Sequence, residues 1–328
     1  MITTRMDPVE RLATQPLALR PIAPMPLSSP AARAWRPGAP LPVLAAVADD
    51  AARASVLAMT EALARERGAK PSLLAVAELD PVITPDGVFE YAALADELAD
   101  VDSRGRLVEH YRAALHLGDG AAAEWPLDVE LGGSALCILE RARRVRAELI
   151  VMGLVRHGRA DRLLGTDTLH NVLTLGGGPV LAVRPTLTQL PSRVLAAVDF
   201  SPASIHAAKL ARSLMADEGT LHLAFVDAGG FRGTGLSATG LHLLHAGGVD
   251  AVFAELIEEL EPTPGIRIAP LLGRGAPAAE LTRLCEAFEP DLLTLGQRRH
   301  PLLERLMLGS TSHALVQDGR WSVLLAPE

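Results

Sequence analysis

Gly309, Ser310 and Thr311 stand where a helical pattern begins. A helix start of this kind presents free backbone N–H groups and hydroxyls, which suits an anion such as phosphate. A plain helix N-cap uses the same residues, and the two roles are compatible. Upstream, Gly296 closes the short apolar run Leu292–Leu295, and a glycine there permits a tight turn. A loop with Arg298, Arg299 and His300 follows, then an amphipathic piece, Leu302–Leu308. The Arg299 guanidinium can give phosphate a bidentate, charge-assisted contact, or it can fold across the adjacent space and close it. Asp199 ends an earlier apolar run, where a loop carboxylate can help to start the helix at Pro202.

Other chemistry is sparse. His242 and His245 have an allowed metal spacing on a helix, but no third ligand accompanies them, and exposed polar positions account for them better. The stretch GGFRGTG, Gly229–Gly235, follows a strand. It lacks both the Gly-Lys-[Ser/Thr] of a phosphate loop and the spacing of a dinucleotide fingerprint, so it reads as a flexible β-α loop within Gly229–Gly240. There is no G-x-S-x-G elbow and no clustered Cys/His/Asp set. Nothing supplies the metal-binding carboxylates or lysine of a dedicated ATPase.

The elements that must hold these residues occur twice. Shifted by 143 residues, Glu148–Arg184 lies on Asp291–Pro327 without a gap. Gly153 falls on Gly296, Arg156-His157 on Arg299-His300, Thr168 on Thr311, His170 on His313, Gly176 on Gly319 and Val180-Leu181 on Val323-Leu324. So many coincidences at one offset mean an internal duplication. In each copy short apolar strands alternate with helical patterns, β-α-β-α-β-α-β-α-β, which predicts a parallel sheet covered on both faces. The strands expected are Pro42–Val47, Ser72–Ala77, Leu127–Leu131, one ending at Gly153, and Val180–Val183. In the second copy they are Val194–Val198, Thr220–Val226, Ile266–Leu271, Leu292–Leu295 and Val323–Ala326. Helices include one from Asp50 to Arg67 stopped by Gly68, Ala93–Leu117, Pro202–Met215, Val249–Leu260 and Ala276–Phe288. Residues 1–40 read as a proline-rich arm, disordered or loosely docked; 41–185 and 193–328 are expected to form the two domains, with 186–192 as the link.

The duplicated segment resembles the universal stress protein family, whose ATP-binding members carry G-x2-G-x9-G-[ST]. Gly296, Gly309 and Ser310 match it, with Arg299 at the second glycine. The first copy keeps Gly153 but has Arg156 at the second position and Thr166 at the third, with Gly165 one place early. The segments AAVDFSPAS, Ala196–Ser204, and Gly273-Arg274-Gly275 with Pro277 and Glu280 are similar to further parts of the family pattern. The resemblance implies two doubly wound five-stranded parallel sheets of strand order 3-2-1-4-5, Rossmann-like and adenine nucleotide alpha hydrolase-like. It places the ligand crevice between strands 1 and 4, which is also the topological switch point of such a sheet. It further implies a nucleotide site at Ala197, Asp199, Val226, Gly296, Arg299, Gly309, Ser310, Thr311 and Val323, taking ATP or another adenine nucleotide with at most slow hydrolysis. In the first copy Ala48 replaces Asp199, and the site around Gly153, Arg156, Gly165 and Thr166 is degenerate. The alternative is a nucleotide-free interaction protein whose crevices are filled by Arg156 and Arg299.

Composition narrows the class. The 328 residues suffice for two domains, with 49% apolar but only 3% aromatic side chains, so the cores must be Ala, Leu and Val. A net charge of −8, with the signs mixed along the chain, argues against nucleic acid as a partner. The two cysteines, Cys137 and Cys285, fit buried small hydrophobes in a reducing compartment. No apolar run is long enough for a membrane span and no apolar leader is present, so the cytoplasm is expected. An apolar final strand at a sheet edge needs covering. Val180–Val183 and Val323–Ala326 are therefore expected to cover each other about a pseudo-twofold axis, with a homodimer as a further level of assembly.

Overall fold

The computed structural model describes residues 41–77, 101–117, 120–154, 168–176, 178–228, 238–260, 264–299, 306–307 and 309–327. The first half begins with β1 (Leu41–Ala46), an apolar run buried along most of its length, and then α1 (Arg53–Arg67). Gly68, left-handed at φ 65°, ends that helix and returns its N–H to the Leu63 carbonyl, a stop that glycine makes without steric cost. There follow β2 (Ala69–Ala77), α2 (Val101–Ala114), a 3-10 turn, β3 (Leu127–Leu131), α3 (Ser134–Arg144), β4 (Leu149–Gly153), α4 (Thr168–Leu175) and β5 (Val180–Val183). The second half repeats the order with β6 (Arg193–Ala197), α5 (Pro202–Leu214), β7 (Gly219–Asp227), α6 (Ala238–Glu259), β8 (Ile266–Arg274), α7 (Pro277–Phe288), β9 (Leu292–Arg299), a short β10 (Leu306–Met307), α8 (Ser310–Asp318) and β11 (Ser322–Pro327).

The strands run β3-β2-β1-β4-β5-β11-β9-β6-β7-β8, with β10 attached to β9. Apart from β10, each half is parallel within itself and has the order expected. The halves meet where β5 pairs antiparallel with β11, Leu324 opposite Leu181, Val323 opposite Ala182 and Leu325 opposite Val180. Leu181 and Leu324 are the same position of the duplicated segment, 143 residues apart, so a pseudo-twofold axis passes through that pair. The two edge strands thus complete each other's hydrogen-bond ladder, and the sheet is continuous across the seam.

Alternation along the strands sends side chains to both faces. One core gathers Val43, Val56, Met59 and Leu63 with Leu210, Leu214, Val252 and Phe253; the other gathers Ile138, Leu169, Val172 and Leu173 with Leu281, Leu284, Leu315 and Val316. Each is shared by both halves. Arg67, at the end of α1, donates to the carbonyls of Ser213 and Met215 and pairs with Asp217 at 2.9 Å, closing the end of α5 from the other domain. His170 and His313, another equivalent pair, meet edge to face with ring centroids 5.4 Å apart. Cys137 and Cys285 lie buried on α3 and α7, and burial pushes the Cys285 thiol up to about 12.

Three local expectations are corrected. The strand at Gly296 does not stop there but runs on to Arg299, because Pro327 pairs with Gln297 and β10 returns antiparallel against Arg298 and Arg299. So Arg298 and Arg299 are strand and not loop, and part of the piece Leu302–Leu308 is the returning strand. β8 likewise extends through Gly273 and Arg274, held by Val226 and Asp227 of β7. The helix expected at Val249–Leu260 is preceded by a helical segment from Ala238 and broken at Gly248, where φ is 78°; this displaces the last part of the loop expected over Gly229–Gly240. The arm at 1–40 and the stretch Gly229–Gly235 lie outside the described residues.

Candidate functional site

In the second half the winding reverses between β6 and β9, and in such a sheet the ligand crevice lies outside the C-terminal ends of the strands at that point. One wall is the turn from β6 into α5. Val198 still holds the ladder, donating its N–H to the Ala224 carbonyl at 2.9 Å. The half-buried Asp199 follows, and its Oδ1 accepts from the Ser201 N–H at 3.0 Å and from the Ser201 hydroxyl at 2.5 Å. Ser201 caps α5 by accepting from the Ser204 N–H at 3.3 Å, and Pro202 begins the helix, where its fixed φ and missing N–H cost nothing. Ser204 closes the circuit, accepting from the Asp199 N–H at 3.2 Å. Between them Phe200 is buried and left-handed, with φ 58°, packed on Phe225 and Phe253 at centroid distances of 5.2 and 5.4 Å. A bulky residue in that region is strained, and the aromatic packing holds it there.

The floor is Gly296. A Cβ there would stand 2.5 Å from the Ser204 nitrogen and 2.7 Å from the Ala203 carbonyl carbon. The first turn of α5 therefore rests directly on β9, and only glycine admits it. Ser204, which the sequence reading did not single out, joins Asp199 and Gly296 at this point. The one signal for it was its place three residues after a Ser-Pro helix start. Ala197 ends β6, half-buried, and Val226 lies near the end of β7, also half-buried.

The far wall is the start of α8. The pairing of β10 with β9 carries the chain back alongside the strand toward Gly296 before that helix begins. Gly309 is its N-cap, at φ −57° and ψ 155°, and no side chain caps the helix. Gly309 needs neither left-handed backbone nor close packing: no atom of the described residues lies within 4 Å of a Cβ built on it. Gly309 and Ser310 are exposed and Thr311 half-buried. An uncapped helix start whose first two residues are exposed is an arrangement an anion can use. Val323 is elsewhere; it is fully buried in the seam opposite Ala182 and beside Leu293, three residues back along β9 from Gly296. The Arg299 backbone belongs to β9, while its side chain lies outside the described residues, as do Arg156, Gly165 and Thr166.

The corresponding crevice of the first half differs. Ala48 stands in the place of Asp199, and the carboxylate moves two residues on, to Asp50, whose Oδ1 accepts from the Ala52 N–H at 2.8 Å. It lies over Gly153, 3.5 and 3.7 Å from where a Cβ would project, with the Ala52 methyl at 2.9 Å. An anion approaching that glycine meets a negative charge. Asp49 pairs with Arg53 and is exposed.

A separate cleft of about 640 Å³ opens at the opposite end of the second sheet, lined by Arg184, Arg193, Asp291, Arg320 and Trp321 among others. Its charges are largely matched: Arg193 with Asp291 at 2.9 Å and Arg320 with Glu286 at 2.6 Å, the latter guanidinium also over the Trp321 ring. Burial acts to raise the Asp291 carboxyl, but N–H bonds from Arg193 and Ser192, with the Arg193 charge, outweigh it and hold the group below the usual range. Among the described residues no three His, Cys, Asp or Glu side chains are grouped to hold a metal, and no helix is long and apolar enough to cross a membrane.

A model of the universal stress protein family matches residues 41–184 and again 191–327. Curated proteins give no match. Among solved structures, a universal stress protein from Archaeoglobus fulgidus is 18% identical with a TM-score of 0.57, covering 87% of this chain and 98% of its own. A putative universal stress protein from Pseudomonas aeruginosa is 16% identical with a TM-score of 0.50, covering 87% of this chain and 92% of its own. At these identities the likeness concerns the fold.

Proposed function

The chain belongs to the universal stress protein family as a tandem of two of its domains, and from that premise we propose that it is a stress-response module binding an adenine nucleotide, ATP in the first instance, in its second domain only. The start of α8 carries this reading. Gly309 has no conformational or packing reason to be glycine among the described residues, and the helix behind it is uncapped. A phosphate group supplies the missing acceptor for those N–H groups. Ser310 and Thr311 add hydroxyls, and Arg299 adds a cation on the strand that leads there. At the other wall Asp199, fixed by Ser201 and Ser204, is the acceptor for a ribose hydroxyl. In the first domain the Asp50 carboxylate over Gly153 opposes a phosphate, so that domain serves as a partner for the second.

No dedicated catalysis is assigned. Positioning of phosphates alone, which is the role this reading gives the crevice, allows at most slow hydrolysis. A second reading, a nucleotide-free interaction protein of the same fold, is favoured by one observation: Asp199 already has partners within its own turn. Ultraviolet absorbance and mass spectrometry of a heat extract, with titration of wild type beside Arg299→Gly, separate the two. Bound adenine nucleotide, and affinity that falls on the change to glycine, support the first. An empty wild type that gains binding as Arg299→Gly supports the second, with the arginine as a plug.

A further inference from the structure

We propose that Gln297 is a positioning residue which makes the crevice of the second domain depend on the first domain; the inference rests on the nucleotide reading above for its ligand, and on geometry for the rest. Gln297 follows the crevice glycine Gly296 directly and is only 2% exposed. Its Nε2 donates to the Leu173 carbonyl at 2.7 Å, across the seam. A buried amide is costly unless it is bonded, so this contact holds the extension of β9 in one place.

The contact repairs an asymmetry between the copies. The last four carbonyls of a helix have no partner within it. At the end of α8, Gly319 turns left-handed at φ 61° and gives its N–H to the Val316 carbonyl at 3.1 Å. At the equivalent end of α4, Gly176 is not left-handed; its N–H goes to Val172 at 2.8 Å. Leu173, the counterpart of Val316, receives the Gln297 amide instead. At the mirrored position of the first domain stands Leu154, which has no side-chain donor to offer. A helix of the first domain is thus capped by the residue beside the crevice floor of the second, and the reverse contact does not exist. Through Gln297 the segment Gly296–Arg299 is tied to α4, while Pro327 holds its other side. Anything that loosens α4 loosens the strand that carries Gly296 and Arg299.

The test uses the full chain and two variants, Gln297→Met, which keeps the size and removes the donor, and Gln297→Glu, which replaces the donor by an acceptor facing a carbonyl. Hydrogen exchange reads the positioning without any ligand. Amides of residues 296–299 and of the end of α4 are expected to exchange about tenfold faster in either variant, with β6 and β7 unchanged. ATP titration reads the consequence: affinity is expected to fall by about fivefold or more, the size of an ordinary coupling between sites. A lower melting temperature with unaltered exchange at 296–299 and unaltered affinity would make Gln297 a merely structural residue and overturn the inference. If wild type binds no ATP, the nucleotide reading fails while the exchange result still decides the positioning. If neither variant folds, exchange in wild type with and without ATP decides instead: protection spreading to the end of α4 supports the coupling, and protection confined to the second domain contradicts it.

Discussion

The first domain lays the Asp50 carboxylate over Gly153, whereas the second clears the same place for the backbone of α5 and keeps its acid, Asp199, tied back to Ser201. The first closes its strand-4 helix end with help from across the seam; the second closes its own with Gly319. Duplication gave both domains one architecture, and among the many residues that have since diverged are several at the strand ends. On the function proposed above, one copy retains what an anion needs and the other supports it. This division of labour is open to tests that treat the two domains side by side.

The largest effect is expected at the crevice floors. Gly296→Ala would drive a methyl into the backbone of Ala203 and Ser204, and should lower stability by about 3 kcal/mol, the upper end of ordinary overpacking. Gly153→Ala meets the Ala52 side chain at 2.9 Å, which can give way more easily, and should cost about 1 kcal/mol. Urea denaturation of the two variants would show it, and equal losses would remove the distinction between the floors. Next in size, Arg299→Ala should weaken ATP binding by about 1.5–3 kcal/mol through loss of a charge-assisted contact; calorimetric titration checks it, and unchanged affinity would take Arg299 out of the site.

Much of the architecture could be read from the residues, and the reasons are local. Alternating apolar runs and helical patterns, with the 143-residue offset, imply two parallel units and the pairing of their last strands. Caps such as Gly68 and Ser201-Pro202 lie within a few residues of what they cap. The misreadings came where distant chain decides. Gly296 looks like a strand terminator, but Pro327 and β10 continue the ladder past it. Its glycine answers to the backbone of α5, ninety residues earlier. Spacing singled out Asp199, Gly296 and the α8 start, which the fold sets at strand ends and a helix start, and also Val323, which lies buried in the seam. Ser204 and Gln297 were missed, since a serine hydroxyl and an amide declare a role only once their partners are placed.

A third contrast lies at the other ends of the sheets. Asp291 binds Ser192 and Arg193 through four hydrogen bonds, while its counterpart Glu148 is exposed. Asp291→Asn should cost about 2 kcal/mol at neutral pH and Glu148→Gln close to nothing. Because the folded Asp291 carboxyl sits below its ordinary value of 3.8, its stabilisation is fully present above that value. It should fade as the pH falls through the lower folded one. Denaturation curves at successive pH values should therefore show wild type losing its advantage over Asp291→Asn only in acid; an advantage that persisted below both values would contradict the assignment. The smallest effect concerns Ser310→Ala, which removes one hydroxyl from an exposed helix start and should reduce ATP affinity by about 1 kcal/mol or less. A larger loss would move the weight of binding from the backbone N–H groups to that side chain.

Stoichiometry tests the central claim most directly. Calorimetric titration of the intact chain with ATP should give one site per chain, abolished or strongly weakened by Arg299→Ala and untouched by changes at Asp50. Two sites per chain would show that the first domain has not lost its crevice, and none would leave the fold without the nucleotide assigned to it.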